Sequence, residues 1–331
     1  MALKLEITKK LEEIEDLDNS ITILNMPSAN YCEKSSELVE LDMGVLEQAC
    51  KGCVTQGIKI NERLSMSEIK QVIDYFSANY DAKFITINGR GNPLHPRLTD
   101  ETMEKIKYSN TKGIQSYIFT AGNNLDVRTC NFLAENETNV MISLFGNRFI
   151  DDEFFAGKEY QASKKPLQNQ AEIARNLRRL ISTYEDHPNR PTESTTRLGM
   201  NYVVSINDLD DDGQKVARLR MSANENRIFF ICNTDFQPHP NLDTQKRLEE
   251  LAKRHSDFGL AHSTSVNGQC QMGAGSSATV DYDGELYRCP YMCGKGDGKI
   301  TKLSGNDTKQ VLLGYLRDRD YSCILRRTLK A

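Results

Sequence analysis

Six short β-rich runs, each followed by a stretch with helical spacing, constrain this chain more than any other feature. The runs are 21–25 (ITILN), 84–88 (FITIN), 117–120 (YIFT), 139–145 (NVMISLF), 200–206 (MNYVVSI) and 228–232 (IFFIC). The clearest helix begins at Ser65. Ser65 and Glu68 have the positions of a capping box, Leu64 and Ile69 those of a hydrophobic staple. Ile69, Val72, Ile73 and Phe76 then fall on one helical face, and Ile173, Leu177, Leu180 and Ile181 repeat that stripe. Fainter helical patterns cover 99–109, 124–136, 212–223 and 242–254. A β-then-α repeat of this kind predicts an α/β fold, a parallel sheet with helices outside, closed or partly closed as a barrel. In such folds chemistry gathers on the loops at the C-terminal ends of strands.

After about residue 256 the pattern changes. The segment 277–288 reads as a β-hairpin turning at Asp283-Gly284, and a helical stretch follows near 306–326. The expected organisation is an N-terminal extension (1–20), a barrel (21–256) and a small C-terminal α+β domain (257–331) stapled by a metal. A chain of 331 residues has room for one large domain with such an appendage. The stretch 184–196 reads as a surface loop.

Charge and hydropathy exclude several classes. Lys plus Arg (42) against Asp plus Glu (46) leaves a formal charge of −4, with no basic stripe for nucleic acid. No apolar stretch approaches the ~20 residues of a membrane span, and the charged start has the character of neither a signal nor a transit peptide. A cytoplasmic location is therefore expected, where thiols stay reduced and free to bind metal. Asp208-Leu209-Asp210-Asp211-Asp212-Gly213 opens like a calcium loop, but its twelfth position is Leu219 where a bidentate Glu is needed. The five histidines show no paired helical spacing and read as structural or surface residues.

The nine cysteines are not scattered evenly. Cys32, Cys50 and Cys53 follow the first β run; Cys270, Cys289, Cys293 and Cys323 lie in the C-terminal part. Groups of three and four thiols point to metal or iron–sulfur chemistry rather than disulfides. Cys50-x2-Cys53 and Cys289-x3-Cys293 also fit as two halves of a structural zinc site. Cys293 reads either as a fourth ligand or as a small core residue. Cys130, in a helical stretch, and Cys232, on the sixth β run, are core residues by default. Alternate residues of a barrel strand point inward, which makes Cys232 the one to consider for chemistry.

A thiol trio after strand one of a β/α barrel resembles the radical S-adenosylmethionine (SAM) enzymes, and the C-terminal part resembles their SPASM/twitch class. The trio here is C-x17-C-x2-C, against the family's usual C-x3-C-x2-C, with an insertion (33–49) expected to form a short helix over the cluster. Gly52 stands where the family usually has a bulky residue against adenine. Asn88-Gly89-Arg90-Gly91-Asn92-Pro93 resembles the family's Gly-Gly-Glu-Pro segment, which holds the SAM amino group; Asn92 takes the place of the Glu. Ile142-Ser143-Leu144-Phe145-Gly146 resembles the strand segment whose Ser contacts the SAM ribose or carboxylate. Cys270, thirteen residues, Gly284, four residues and Cys289 fit the twitch/SPASM opening C-x9–15-G-x4-C.

The resemblance implies two [4Fe–4S] clusters. Cys32, Cys50 and Cys53 would hold the SAM-binding one, leaving one iron open, and Cys270, Cys289, Cys293 and Cys323 the auxiliary one. Gly89, Gly91, Asn92 and Ser143 become SAM contacts, with Asn123 and Asn124 as further candidates beside a turn role. The implied activity is reductive SAM cleavage and hydrogen abstraction, ending in oxidation or cross-linking. The substrate is a peptide or a small polar natural-product precursor, and the electron donor a flavodoxin or ferredoxin. Two rivals stand beside it: a redox-neutral epimerase with Cys232 as hydrogen donor, and a non-enzymatic zinc or iron–sulfur binding protein.

Overall fold

The computed structural model describes residues 3–15, 20–27, 31–34, 37–40, 63–88, 91–145, 170–187, 192, 194–204, 213–234, 243, 246–247, 250, 265–266, 269–270, 275–289 and 296–317. The strands are β1 (Lys4–Leu5), β2 (Ile23–Asn25), β3 (Tyr31–Lys34), β4 (Glu37–Glu40), β5 (Phe84–Ile87), β6 (Gln115–Thr120), β7 (Asn139–Phe145), β8 (Thr195–Thr196), β9 (Leu198–Val204), β10 (Phe229–Thr234), β11 (Ser265–Val266), β12 (Gln269–Cys270), β13 (Ser277–Val280) and β14 (Leu286–Tyr287). The helices are α1 (Glu6–Glu12), α2 (Met66–Tyr80), α3 (Thr99–Thr111), α4 (Val127–Glu135), α5 (Gln170–Asp186), α6 (Gln214–Glu225) and α7 (Gly305–Arg317).

All six β runs are strands, and α2 starts as its sequence dictates. The Ser65 side chain accepts from the Glu68 N–H while the Glu68 carboxylate accepts from the Ser65 N–H, completing the capping box. Ile69, Val72, Ile73 and Phe76 are buried, as the spacing requires. An eight-stranded sheet runs in the order β10-β9-β7-β6-β5-β2-β13-β14. Neighbours are parallel throughout except for the antiparallel β13–β14 pair. Among the described residues no helix is long and apolar enough to cross a membrane.

The two faces of the sheet have different neighbours. On one, Ile118, Val140, Ile142, Leu144, Met200 and Tyr202 form a buried cluster with residues of α3, α4, α5 and α6. It continues into a second cluster, where Leu24, Ile85, Ala278 and Val280 meet α2 and α7. Successive strand residues alternate between faces, so the opposite face carries Ile23, Phe84, Tyr117, Phe119, Met141, Phe229 and Ile231. The N-terminal segment covers these residues. Leu5, Ile7 and Leu11 are fully or almost fully buried against them, and β1 is held by parallel pairing with β8. Gly199 belongs to this face because Met141 lies over it: a Cβ there would sit 2.7 Å from the Met141 sulfur.

The structure departs from expectation in three places. Within 33–49 a short helix was expected, but Tyr31–Lys34 and Glu37–Glu40 pair antiparallel as β3 and β4, with Cys32 in register with Val39 and Lys34 with Glu37, while 41–49 lies outside the described residues. Two residues between four-residue strands favour a hairpin. The C-terminal hairpin turns at Asp283-Gly284 as expected, with Gly284 at φ 85° and its N–H donating to the Asp281 carbonyl (2.8 Å). It does not stand apart, however: β13 pairs with β2, and Leu286, Leu312 and Tyr315 share a core with α2. A core common to both parts supplies the burial that a metal staple was expected to supply. Third, the N-terminal extension, to which no core role was assigned, contributes Leu5, Ile7 and Leu11 to a core. The calcium-like loop, most of 242–254 and the end of the 306–326 stretch lie outside the described residues.

Candidate functional site

Several polar residues of the sheet stand toward the C-terminal ends of its strands. On β2, Asn25 is buried and bridges its neighbours: Nδ2 donates to Ser277 Oγ (2.7 Å) and the Ala278 carbonyl (3.1 Å), and Oδ1 accepts from Thr86 Oγ1. Farther along the sheet, Asn201 Nδ2 of β9 donates to Ser143 Oγ of β7 at 3.3 Å, and the two residues are register partners. Asn25, Thr86, Ser143, Asn201 and Thr279 all lie on the face opposite the helices, by alternation with their apolar neighbours. None of them carries a charge.

The loop after β5 is built around a second amide. Gly91 has φ 124°, a conformation that favours glycine. Asn92 follows, only 4% exposed. Its Oδ1 accepts from the Leu94 N–H (3.2 Å) and from Thr120 Oγ1 (2.9 Å), tying the loop to the end of β6. Its Nδ2 has no hydrogen-bond partner among the described residues. The loop after β6 repeats the situation with the opposite atom, since Asn123 is buried and its Oδ1 is unpartnered among the described residues. That loop is held by α5, whose Asn176 Nδ2 donates to the Gly122 carbonyl at 3.0 Å and whose Arg179 donates to that of Leu125 at 2.6 Å. Asn124 adopts φ 55°, a left-handed conformation that fits the turn role.

A buried cation lies at the end of β2. Lys105 of α3 is 1% exposed and its Nζ donates weakly to the Met26 carbonyl (3.5 Å). Burial pushes its pKa down to about 8, the Glu101 carboxylate opposing and the Arg63 guanidinium assisting. Arg63 pairs with Glu101 beside it. The next residue, Leu64, donates its N–H to the Tyr282 carbonyl of the C-terminal hairpin at 2.6 Å. His95 is a turn residue: its Nδ1 accepts from the Arg97 N–H, and burial lowers its pKa.

The expected site residues fall into three sets. Gly91, Asn92 and Ser143 stand at the C-terminal strand ends, with Cys32 on β3 beyond β2. Cys289 is buried two residues after β14, and the backbone of Cys270 is on β12. Cys50, Cys53, Gly89, Cys293 and Cys323 lie outside the described residues. Among the described residues no three His, Cys, Asp or Glu side chains converge as metal ligands. Cys130 is core, with its thiol pushed up to about 11 by burial and donating to the Leu125 carbonyl. Cys232 corrects the expectation of an inward-facing thiol. It packs in the helix-side cluster that includes Val216, Leu219 and Ala223, while Ile231 takes the other face. Both faces of a parallel strand are apolar, so alternation alone does not reveal which one a cysteine takes. Asn25, Thr86 and Asn201 were not anticipated; their signal was a polar residue ending an apolar run (Asn25) or interrupting one (Thr86, Asn201).

No protein-family model matches the sequence, and no curated protein matches it. Solved structures do. A structure of anSMEcpe with bound AdoMet is 14% identical over 86% of this chain and 79% of that one, with a TM-score of 0.57. Streptococcus suis SuiB bound to S-adenosylmethionine is 12% identical over 94% of this chain and 68% of that one, at 0.56. SuiB bound to precursor peptide SuiA is 12% identical over 96% and 70%, at 0.52. The likeness is one of fold. The mixed α/β architecture with its parallel sheet is therefore shared with proteins solved with SAM bound.

Proposed function

We propose that the chain is a radical SAM enzyme of the auxiliary-cluster class, acting on a peptide or a small polar molecule. One coincidence of position carries the reading. The thiol-bearing loop leaves β2 at the same end of the sheet as the idle Asn92 amide and the uncharged polar residues, in a fold shared with SAM-bound proteins. On this reading 21–256 is a partial (β/α)6 barrel whose interior is the face opposite the helices. Residues 1–20 form the extension that closes its lower end, and 257–331 the auxiliary-cluster part.

Cys32, Cys50 and Cys53 would hold a [4Fe–4S] cluster, and Cys270, Cys289, Cys293 and Cys323 a second. The donor set fits, because reduced thiolates suit iron–sulfur clusters and three of them leave one iron for SAM. When bound, the first cluster supplies the electron, drawn from a flavodoxin or ferredoxin, that splits SAM into methionine and the 5′-deoxyadenosyl radical that takes a substrate hydrogen. The protein's part is placement and exclusion. Asn25, Thr86, Ser143 and Asn201 give the upper interior hydrogen-bonding groups without charge, suited to a neutral polar substrate. Below them, the apolar layer sealed by Leu5, Ile7 and Leu11 keeps water from the far end. A peptide substrate draws support from SuiB, solved with a precursor peptide, and from anSMEcpe, solved with a Cp18Cys peptide. Cys232, enclosed on the helix side, weakens the epimerase reading.

Anaerobic reconstitution tests the proposal. The protein should take up about eight irons and cleave SAM under reduction. The Cys32, Cys50 and Cys53 triple Ala variant should lose cleavage and keep about four irons. Stoichiometric zinc without iron uptake, or cleavage that survives the triple variant, would overturn it. The Cys270 and Cys289 double Ala variant should still cleave SAM slowly but form no product. It should also stay folded, since the C-terminal hairpin shares its core with α2.

A further inference from the structure

We infer that Asn92 donates a hydrogen bond to the carboxylate of bound SAM, opposite in polarity to the ammonium contact its motif position implies. The inference rests on the radical SAM reading above. Its starting point is that the amide's orientation is forced. The Leu94 N–H points at one atom of the Asn92 amide at 3.2 Å. A backbone N–H only donates, so that atom is the oxygen. Thr120 Oγ1 accepts from the Gly122 N–H (3.2 Å) and gives its own proton to the same oxygen (2.9 Å). The Asn92 oxygen is thus engaged twice and the nitrogen is left over.

That leftover nitrogen is a pure donor. It is enclosed, on a side chain 4% exposed, and has no partner among the described residues. A buried donor without an acceptor is uncommon in native proteins, and at the end of a strand whose loops carry the motif a bound group can complete the bonding. An ammonium group, itself only a donor, cannot complete it. A carboxylate can, and a charged acceptor makes the stronger bond. The neighbouring loop supplies the complement: Asn123 Oδ1 is the matching enclosed acceptor and suits the ammonium. Two asparagines on adjacent βα loops, joined through Thr120 and Gly122, thereby present one donor and one acceptor to the amino-acid end of SAM.

Asn92→Asp tests this closely. The aspartate keeps the oxygen that Leu94 and Thr120 hold and replaces only the free NH2 by an oxygen. SAM affinity of the cluster-loaded protein, measured anaerobically at pH 8, should fall about tenfold to a hundredfold. The ratio of affinities for SAM and decarboxylated SAM should fall at least as far. Asn123→Asp, which keeps the acceptor, should bind SAM as well as the parent or better. An Asn92→Asp variant that binds SAM equally or more tightly would overturn the inference and restore an acid-to-ammonium contact. Equal weakening toward both ligands would overturn it too, by showing a positional defect. Failure of the parent protein to bind SAM at all is a separate result, and counts against the radical SAM reading itself.

Discussion

The helix-facing side of the sheet and the side opposite it begin alike and end differently. Toward the N-terminal strand ends both are covered and largely apolar, one by α2 to α7, the other by the segment around Leu5, Ile7 and Leu11, with Ser116, Asn139 and Ser277 as buried exceptions. Toward the C-terminal ends the helix side stays apolar through Ile87, Ile142, Leu144 and Tyr202, with Thr120 as its exception. The other side turns to Asn25, Thr86, Ser143 and Asn201. Burying amides and hydroxyls is tolerable only if they are hydrogen-bonded. The upper half of that face therefore spends its polar atoms on neighbouring strands. One face closes by apolar packing, and the other adds a hydrogen-bonded polar layer.

The sharpest way to break this contrast is to cut equal volumes from the apolar packing of both faces. Ile142→Ala on the helix side should cost about 2–5 kcal/mol of stability in urea unfolding. Leu11→Ala should cost a similar amount, because Leu11 is as buried as a core residue. A cost well under 1 kcal/mol at Leu11 would make the N-terminal segment a surface attachment and remove one of the two cores.

The next effect comes from Lys105. Its pKa is about 8 when folded against 10.5 as the ordinary value, so below pH 8 it is charged in both states and the folded protein bears the burial cost. Stability from this group should rise as pH increases from about 8 toward 10.5. Lys105→Met should stabilise the protein by about 2 kcal/mol at pH 7 and flatten that pH window in thermal melts. An unchanged slope would place the charge in contact with water. Asn25→Leu should cost about 1–3 kcal/mol, since it strands the hydroxyls of Ser277 and Thr86, and Thr86→Val in the same background should recover part of it. Smallest is Ser143→Ala, within about 0.5 kcal/mol in stability, with a measurable loss of SAM affinity. Equal losses at Ser143 and Ile142 would erase the distinction between the two faces.

Much of this was legible in the chain, for reasons that differ by element. Strands β2, β5, β6, β7, β9 and β10 announce themselves because a buried parallel strand needs an unbroken apolar run. Helix α2 does so because its cap residues are local chemistry. What was hidden is what depends on pairing across distance. The β13–β2 ladder joins residues about 250 positions apart, and a two-strand hairpin looks the same in sequence whether it stands alone or extends a sheet. The face taken by Cys232 was hidden because Phe230 and Ile231 are equally apolar. The α1 stripe of Ile7 and Leu11, spaced by four, was visible but short. In the candidate site, Gly91, Asn92 and Ser143 were singled out by motif resemblance alone, whereas the free atom of Asn92 depends on Thr120, a residue no local pattern connects to it.

The hydrogen bond from Leu64 to Tyr282 has a consequence for how the protein is made. The thiol-bearing loop runs from β2 to Leu64, and both of its ends are fastened to the C-terminal hairpin, β2 through β13 and Leu64 through Tyr282. During synthesis, Leu64 emerges long before its partner exists. At 5–20 residues per second the wait is roughly 10–40 s. Throughout that interval the segment between β2 and Leu64 lacks both of these fastenings, and they form only when the last strands arrive. The end of the chain therefore fixes the two ends of a segment near its beginning.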